Sequence, residues 1–128
     1  MNYRNPKLVI TLRTILGLFF IMSGVGGLMS GHAMTGVPAP MVPYSQSLWE
    51  MGIFQMIKVT EIVAGLMFVT GFLPALAAIF VAPVCVGIIV FDLHVDASYL
   101  PAGIFVTVLN AYMGYAYWDK YKALFEKK

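Results

Sequence analysis

The sequence predicts an all-α integral membrane protein, a four-helix bundle with both termini cytoplasmic. Three observations predict it. Apolar residues make up 60% of the 128, charged residues only 11%, and the mean hydropathy is +0.84. The apolar residues gather into four stretches of roughly the 20 residues that one membrane crossing needs. The Lys and Arg residues concentrate at the two ends of the chain. A soluble domain carries roughly 25% charged residues, and a small body has much surface to cover. Eight basic and six acidic side chains do not cover it. A disordered chain, a nucleic-acid binder and an ordinary soluble enzyme are excluded on the same grounds.

The first helix is expected over about 7–29, with Arg13 its one charge after the opening Lys7. An N-terminal apolar run behind Arg4 and Lys7 resembles a signal peptide, but it exceeds the usual 7–15 residues of such a core. The second helix is expected over 48–73 and contains Lys58 and Glu61. The uncharged run from Ile62 to Phe91 is too long for one crossing. Gly71 and Pro74 divide it, because glycine favours helix ends and proline helix starts. The third helix follows over 74–95 and the fourth over 100–119, again with a proline, Pro101, in its first turn. The whole reads as one transmembrane domain. The segment 30–47 is read as an outer loop lying over the bundle mouth. Its Pro38, Pro40 and Pro43 forbid a continuous helix.

Orientation follows from the basic residues, which favour the cytoplasmic side. Arg4 and Lys7 precede the first helix; Lys120, Lys122, Lys127 and Lys128 follow the fourth. The connections 30–47 and 96–99 hold no Lys or Arg. Tyr44, Trp49 and Tyr99 mark the outer interface, and Tyr115, Tyr117, Trp118 and Tyr121 the inner one. The single cysteine, Cys85, forms no internal disulfide or C-x-x-C pair, which disfavours thiol-disulfide chemistry.

Polar groups at membrane depth are the informative ones, since a charge near the midplane costs about 2.5–3.5 kcal/mol on insertion scales. Counting at 1.5 Å per residue puts Arg13 roughly 9 Å from the inner end and Glu61 near the midplane. Lys58 and Glu61, three apart, share a helix face. The expected ladder pairs Arg13 with Glu61 and Lys58 with Asp92 or Glu61, and Asn110 closes either pair. It serves as packing register, or as a proton-active or ligand-polarising site centred on Glu61. At the outer end, Asp92, His94, Asp96 and His32 suggest a solvated helix end, a quinone head-group site or haem ligation; their spacing matches no established metal motif. Ser23, Gly27 and Gly31 have small-residue spacing suited to internal packing or to a homo-oligomer.

These residues resemble a known family. The first helix reads Leu12-Arg13-Thr14-Ile15-Leu16-Gly17 and ends Ser23-Gly24-Val25-Gly26-Gly27. The second carries Lys58-x-x-Glu61-x-x-x-Gly65 and the turn Thr70-Gly71-Phe72. The third has Ala82-Pro83 and an acidic and histidine end. The chain is similar to the DoxX-like family of small four-helix bacterial membrane proteins over nearly its whole length. Relatives place a lysine where Gly27 or Leu28 stands here, and some a histidine at the position of Asp92. The resemblance implies an inner-membrane accessory or quinone-binding component of a membrane redox system, with a redox partner subunit. It implies a ligand-binding or polar network at Arg13, Lys58, Glu61, Asp92, His94 and Asn110. A non-catalytic assembly factor is the alternative. A small proton-coupled transporter ranks last, because Glu61 has basic neighbours that neutralise it.

Overall fold

The computed structural model describes residues 5–126. It is all-helical among the described residues, with α1 over Pro6–Ser30, α2 over Val42–Glu50, α3 over Ile53–Thr70, α4 over Pro74–Val95, α5 over Leu100–Ala116 and α6 over Trp118–Tyr121. Three of these, α1, α3 and α4, are long and apolar enough to cross a membrane. Arg4, Lys127 and Lys128, which carry part of the orientation argument, lie outside the described residues.

The helix ends follow from local chemistry. Pro6 stands in the first turn of α1, where its missing N–H costs nothing, and the Asn5 side chain accepts from the Lys7 N–H at 2.9 Å. α3 stops at Gly71, whose φ of +76° is left-handed backbone that glycine adopts without a Cβ penalty. Leu73, at φ +46°, completes the turn, and Pro74 opens α4. Pro83 lies inside α4 and removes the donor that would bond the Ile79 carbonyl.

The structure divides the 48–73 helix in two and fills part of the 30–47 loop. Proline forbids a helix interior but suits a first turn, and Pro43 occupies the first turn of α2. Gly52, at φ +78°, then breaks the chain between α2 and α3. The segment between α1 and α3 is tied down by side chains. Ser30 Oγ donates to the Gly26 carbonyl and accepts from Gly36 N–H; Gln46 Nε2 donates to the His32 carbonyl; Met34 is buried. Tyr44 of α2 stands edge-on to Phe91 and His94 at the end of α4. At the other end α5 stops at Ala116 rather than 119, and α6 and a 3-10 turn over Lys122–Phe125 follow.

The core is shared by four helices. Leu16 and Phe20 of α1, Ala64 and Phe68 of α3, Ala77 and Val81 of α4, and Val106 and Met113 of α5 are fully buried or nearly so. The outward faces are as apolar as the core: Met22, Leu66, Val86 and Val108 are all half or more exposed. Apolar side chains pointing both ways are what lipid on the outside permits. Near the C-terminus Tyr121 is buried, and its hydroxyl donates to the Ala75 carbonyl, pinning the C-terminal segment to the start of α4.

Burial, and secondarily the neighbouring Tyr117, push the Tyr121 hydroxyl from 10.0 up to about 12. The folded state therefore favours the neutral phenol. The stability this contributes is fully present below the unfolded value and is lost as pH rises from 10 to about 12. Thermal melts in detergent across that range are expected to show a steeper loss of stability for the native chain than for Tyr121→Phe. Equal slopes would place the hydroxyl outside the fold's linkage.

Candidate functional site: the buried polar groups

The site begins with how closely α1 and α3 approach. A Cβ added at Gly17 would lie 2.7 Å from the Gly65 carbonyl oxygen, and one at Gly65 the same distance from that of Gly17. A Cβ at Gly24 would lie 2.7 Å from the Lys58 carbonyl oxygen. The two backbones thus touch at Gly17 and Gly65, and again at Gly24. The small residues that matter are spaced along this antiparallel seam, while Gly31 has open space around it.

That register sets Ser23 opposite Lys58 and Glu61. Lys58 Nζ donates to Ser23 Oγ at 3.2 Å and lies 3.4 and 3.5 Å from the two Glu61 oxygens. Its stem lies over Gly27, where a Cβ would be 2.6 Å from Cε. Its ammonium stands 5.3 Å from the centre of the Phe54 ring, a cation–π distance. Glu61 is 1% exposed. The result is a closed clasp of two charges and a hydroxyl between α1 and α3. Ser23, missed as a partner by sequence reasoning, is recoverable by aligning Gly17 with Gly65 and counting along both helices.

Arg13 does not join it. Ten residues along α1 from Ser23 correspond to about 15 Å, beyond the reach of one side chain. Its guanidinium lies against Gly71, where a Cβ would be 3.0 Å from Nη2, and Nη1 donates to the Tyr117 hydroxyl at 3.1 Å. This places a cation at the C-terminus of α3, whose own last turn has no basic residue. The partial negative charge of that helix end favours such a neighbour. Arg13 therefore joins α1, the α3–α4 turn and the end of α5.

Asn110 closes neither pair. It is buried, and Nδ2 donates at 3.1 Å to the Ala78 carbonyl, one residue before the acceptor that Pro83 deprives of its helical donor. It ties α5 to α4 beside the proline. Asp92 does not meet Lys58 either. Its carboxyl is buried against α5, where a Cβ at Gly103 would lie 3.1 Å from Oδ2, with no side-chain partner among the described residues. His94 is exposed and faces Tyr44, and His32 Nε2 lies 3.1 Å from Glu50 Oε1. Asp96 accepts from Ser98 N–H at 3.0 Å and from its hydroxyl at 2.7 Å, which holds the Asp96 carboxyl below its ordinary value. These histidines and carboxylates are thus dispersed. Among the described residues no three metal-ligating side chains converge.

Residues 8–94 match the family model described as DoxX. The chain belongs to the DoxX family. The matched stretch contains the α1–α3 seam, the clasp, Arg13 and all of α4 but its last residue. Asn110 and α5 lie beyond it. No curated protein and no solved structure matches the chain. Family membership and the three long apolar helices make this DoxX protein a multi-pass membrane protein in contact with lipid.

Gly71 meets two constraints at once, a left-handed backbone and the guanidinium of Arg13. Gly71→Ala is expected to cost about 1–2 kcal/mol from the backbone alone, with a further loss as Arg13 moves. Gly87 in α4 has open space and ordinary helical backbone, so Gly87→Ala serves as the control and is expected to hold or raise the melting temperature. Equal melting temperatures for the two variants would contradict this account of the turn.

Proposed function

We propose that this DoxX protein is an accessory subunit of a quinone-linked redox system in the bacterial inner membrane. It crosses that membrane four times as a four-helix bundle, with both termini cytoplasmic. The fourth crossing is α5, whose 17 residues fall at the short end of the roughly 17–25 that a crossing requires. The basic residues at both ends of the chain support the orientation.

The closed clasp carries the reading. Lys58 and Glu61 face each other and Ser23, and Gly24 and Gly27 pack directly on Lys58. Arg13 and Asn110 likewise face other helices. Side chains used up between helices hold a shape, and a held shape with an apolar exterior suits a subunit that supports a partner in the bilayer. Quinone binding by the chain itself is the second reading. Its support is Arg13, whose Nε is buried without a partner among the described residues, and a guanidinium N–H is a fitting donor to a quinone carbonyl.

The accessory reading is tested by replacing the buried charges of the clasp. Removing one member of a buried pair costs about 3–5 kcal/mol, while replacing both with apolar residues of similar volume is often neutral or better. In cells lacking the chain, Lys58→Met/Glu61→Leu is expected to restore membrane quinol oxidation as the native chain does. Glu61→Leu alone is expected to accumulate poorly. A double variant that accumulates normally yet restores no oxidation would assign chemistry to the pair and overturn the accessory reading.

A further inference from the structure

At the inner end a groove runs along the lipid-facing side between α4 and α5, beneath the C-terminal segment. One part, about 640 Å³, is lined by Ile79, Gly114, Tyr115, Trp118 and Phe125. An adjoining part of about 430 Å³ is lined by Leu76, Tyr117 and Lys120. Ile79, Tyr121 and Leu124 line both, so the two are continuous. Their volumes lie within the roughly 300–1,000 Å³ of small-molecule sites. The groove is open toward the surroundings, and Ile79, Leu76, Leu124 and Phe125 are exposed along it.

Charge is confined to one end. Lys120 lines the groove, and among the described residues no carboxylate lies within ion-pair distance of it. Lys122, two residues on, lies 3.9 Å from Asp119. Tyr117 and Tyr121 line the same part as Lys120, together with Leu73, Pro74 and Leu76; Tyr115 and Trp118 line the adjoining part, where Trp118 stacks on Phe125 with ring centres 5.5 Å apart. A groove that is apolar over most of its length, with tyrosines and one cation together at its end, matches the acyl chain, interface and phosphate of a phospholipid.

We propose that this groove binds an anionic phospholipid, its acyl chain along Ile79 and Leu76 and its phosphate at Lys120. The C-terminal segment, held down by Tyr121, forms the roof of the site. Gly114 keeps the floor open, since a Cβ there meets nothing within 4 Å. The site depends only on the chain lying in a bilayer and is independent of the redox reading above.

The test is native mass spectrometry of the purified full chain, titrated in detergent with dioleoyl phosphatidylglycerol or dioleoyl phosphatidylcholine. A lysine near an anionic lipid surface favours it roughly fivefold, so the native chain is expected to retain phosphatidylglycerol about fivefold more than phosphatidylcholine. Lys120→Gln is expected to bring the ratio near one. Gly114→Leu, whose Cβ has open space and whose side chain enters the groove, is expected to reduce retention of both lipids. Inorganic phosphate as competitor is expected to leave phosphatidylglycerol in place. Equal retention of the two lipids by the native chain, a preference unchanged in Lys120→Gln, retention unchanged in Gly114→Leu, or displacement by inorganic phosphate would each overturn the proposal.

Discussion

α1 and α3 approach until their backbones touch, and the placement of the buried polar groups depends on that approach. Lipid tails are as apolar as leucine, so no hydrophobic force drives two lipid-facing helices together; dispersion, hydrogen bonds and close fit do. Gly17, Gly24 and Gly65 provide the fit. Once they meet, the register is fixed along both helices. Ser23 falls opposite Lys58 and Glu61, and Arg13 falls opposite the end of α3. Arg13 then reaches Tyr117 beyond α5, and the α3–α4 turn starts α4 where Asn110 and Tyr121 can bind its first turns.

In the accessory reading proposed above, charge at membrane depth is a packing device. Lys58 and Glu61 offset each other's desolvation, and the Ser23 hydroxyl takes one of the ammonium's remaining hydrogens. Arg13 answers a helix end rather than a side-chain charge. Asn110 bonds a carbonyl at a proline-disturbed stretch of α4, a usual way for such backbone to be satisfied inside a membrane. Asp92 is the exception, a buried carboxyl with space made for it by Gly103 and no side-chain partner among the described residues. It lies near the C-terminal end of α4, away from the clasp, so it does not alter the assignment of Lys58 and Glu61 to each other.

The sequence made the helical class, the membrane setting and the family legible. Hydropathy reports burial in lipid directly, and Gly71–Pro74 marks the α3–α4 turn unambiguously. It concealed α2, because Pro43 was read as a breaker when its position in a first turn makes it a starter. It concealed the break at Gly52, because the apolar run continues across it. Lys58 with Glu61 was legible, since spacing on one helix is enough to pair them. Arg13 with Glu61 was not, because depth counted from a helix end carries an error of several residues, and only contact between helices sets their relative register. That Asp92 and His94 face different ways was legible, since residues two apart on a helix do so.

The register of α1 against α3 is therefore the quantity to measure. Spin labels on exposed positions of the two helices, in a Cys85→Ser background, report it by electron–electron resonance. Leu18 and Leu66 are exposed and sit at the same level along the seam, while Met56, also exposed, lies ten residues from Leu66, about 15 Å along α3. The Leu18→Cys/Leu66→Cys pair is predicted to give a clearly shorter distance than Leu18→Cys/Met56→Cys. A shorter distance for the second pair would bring Arg13 level with Glu61, and would contradict the clasp and the seam together.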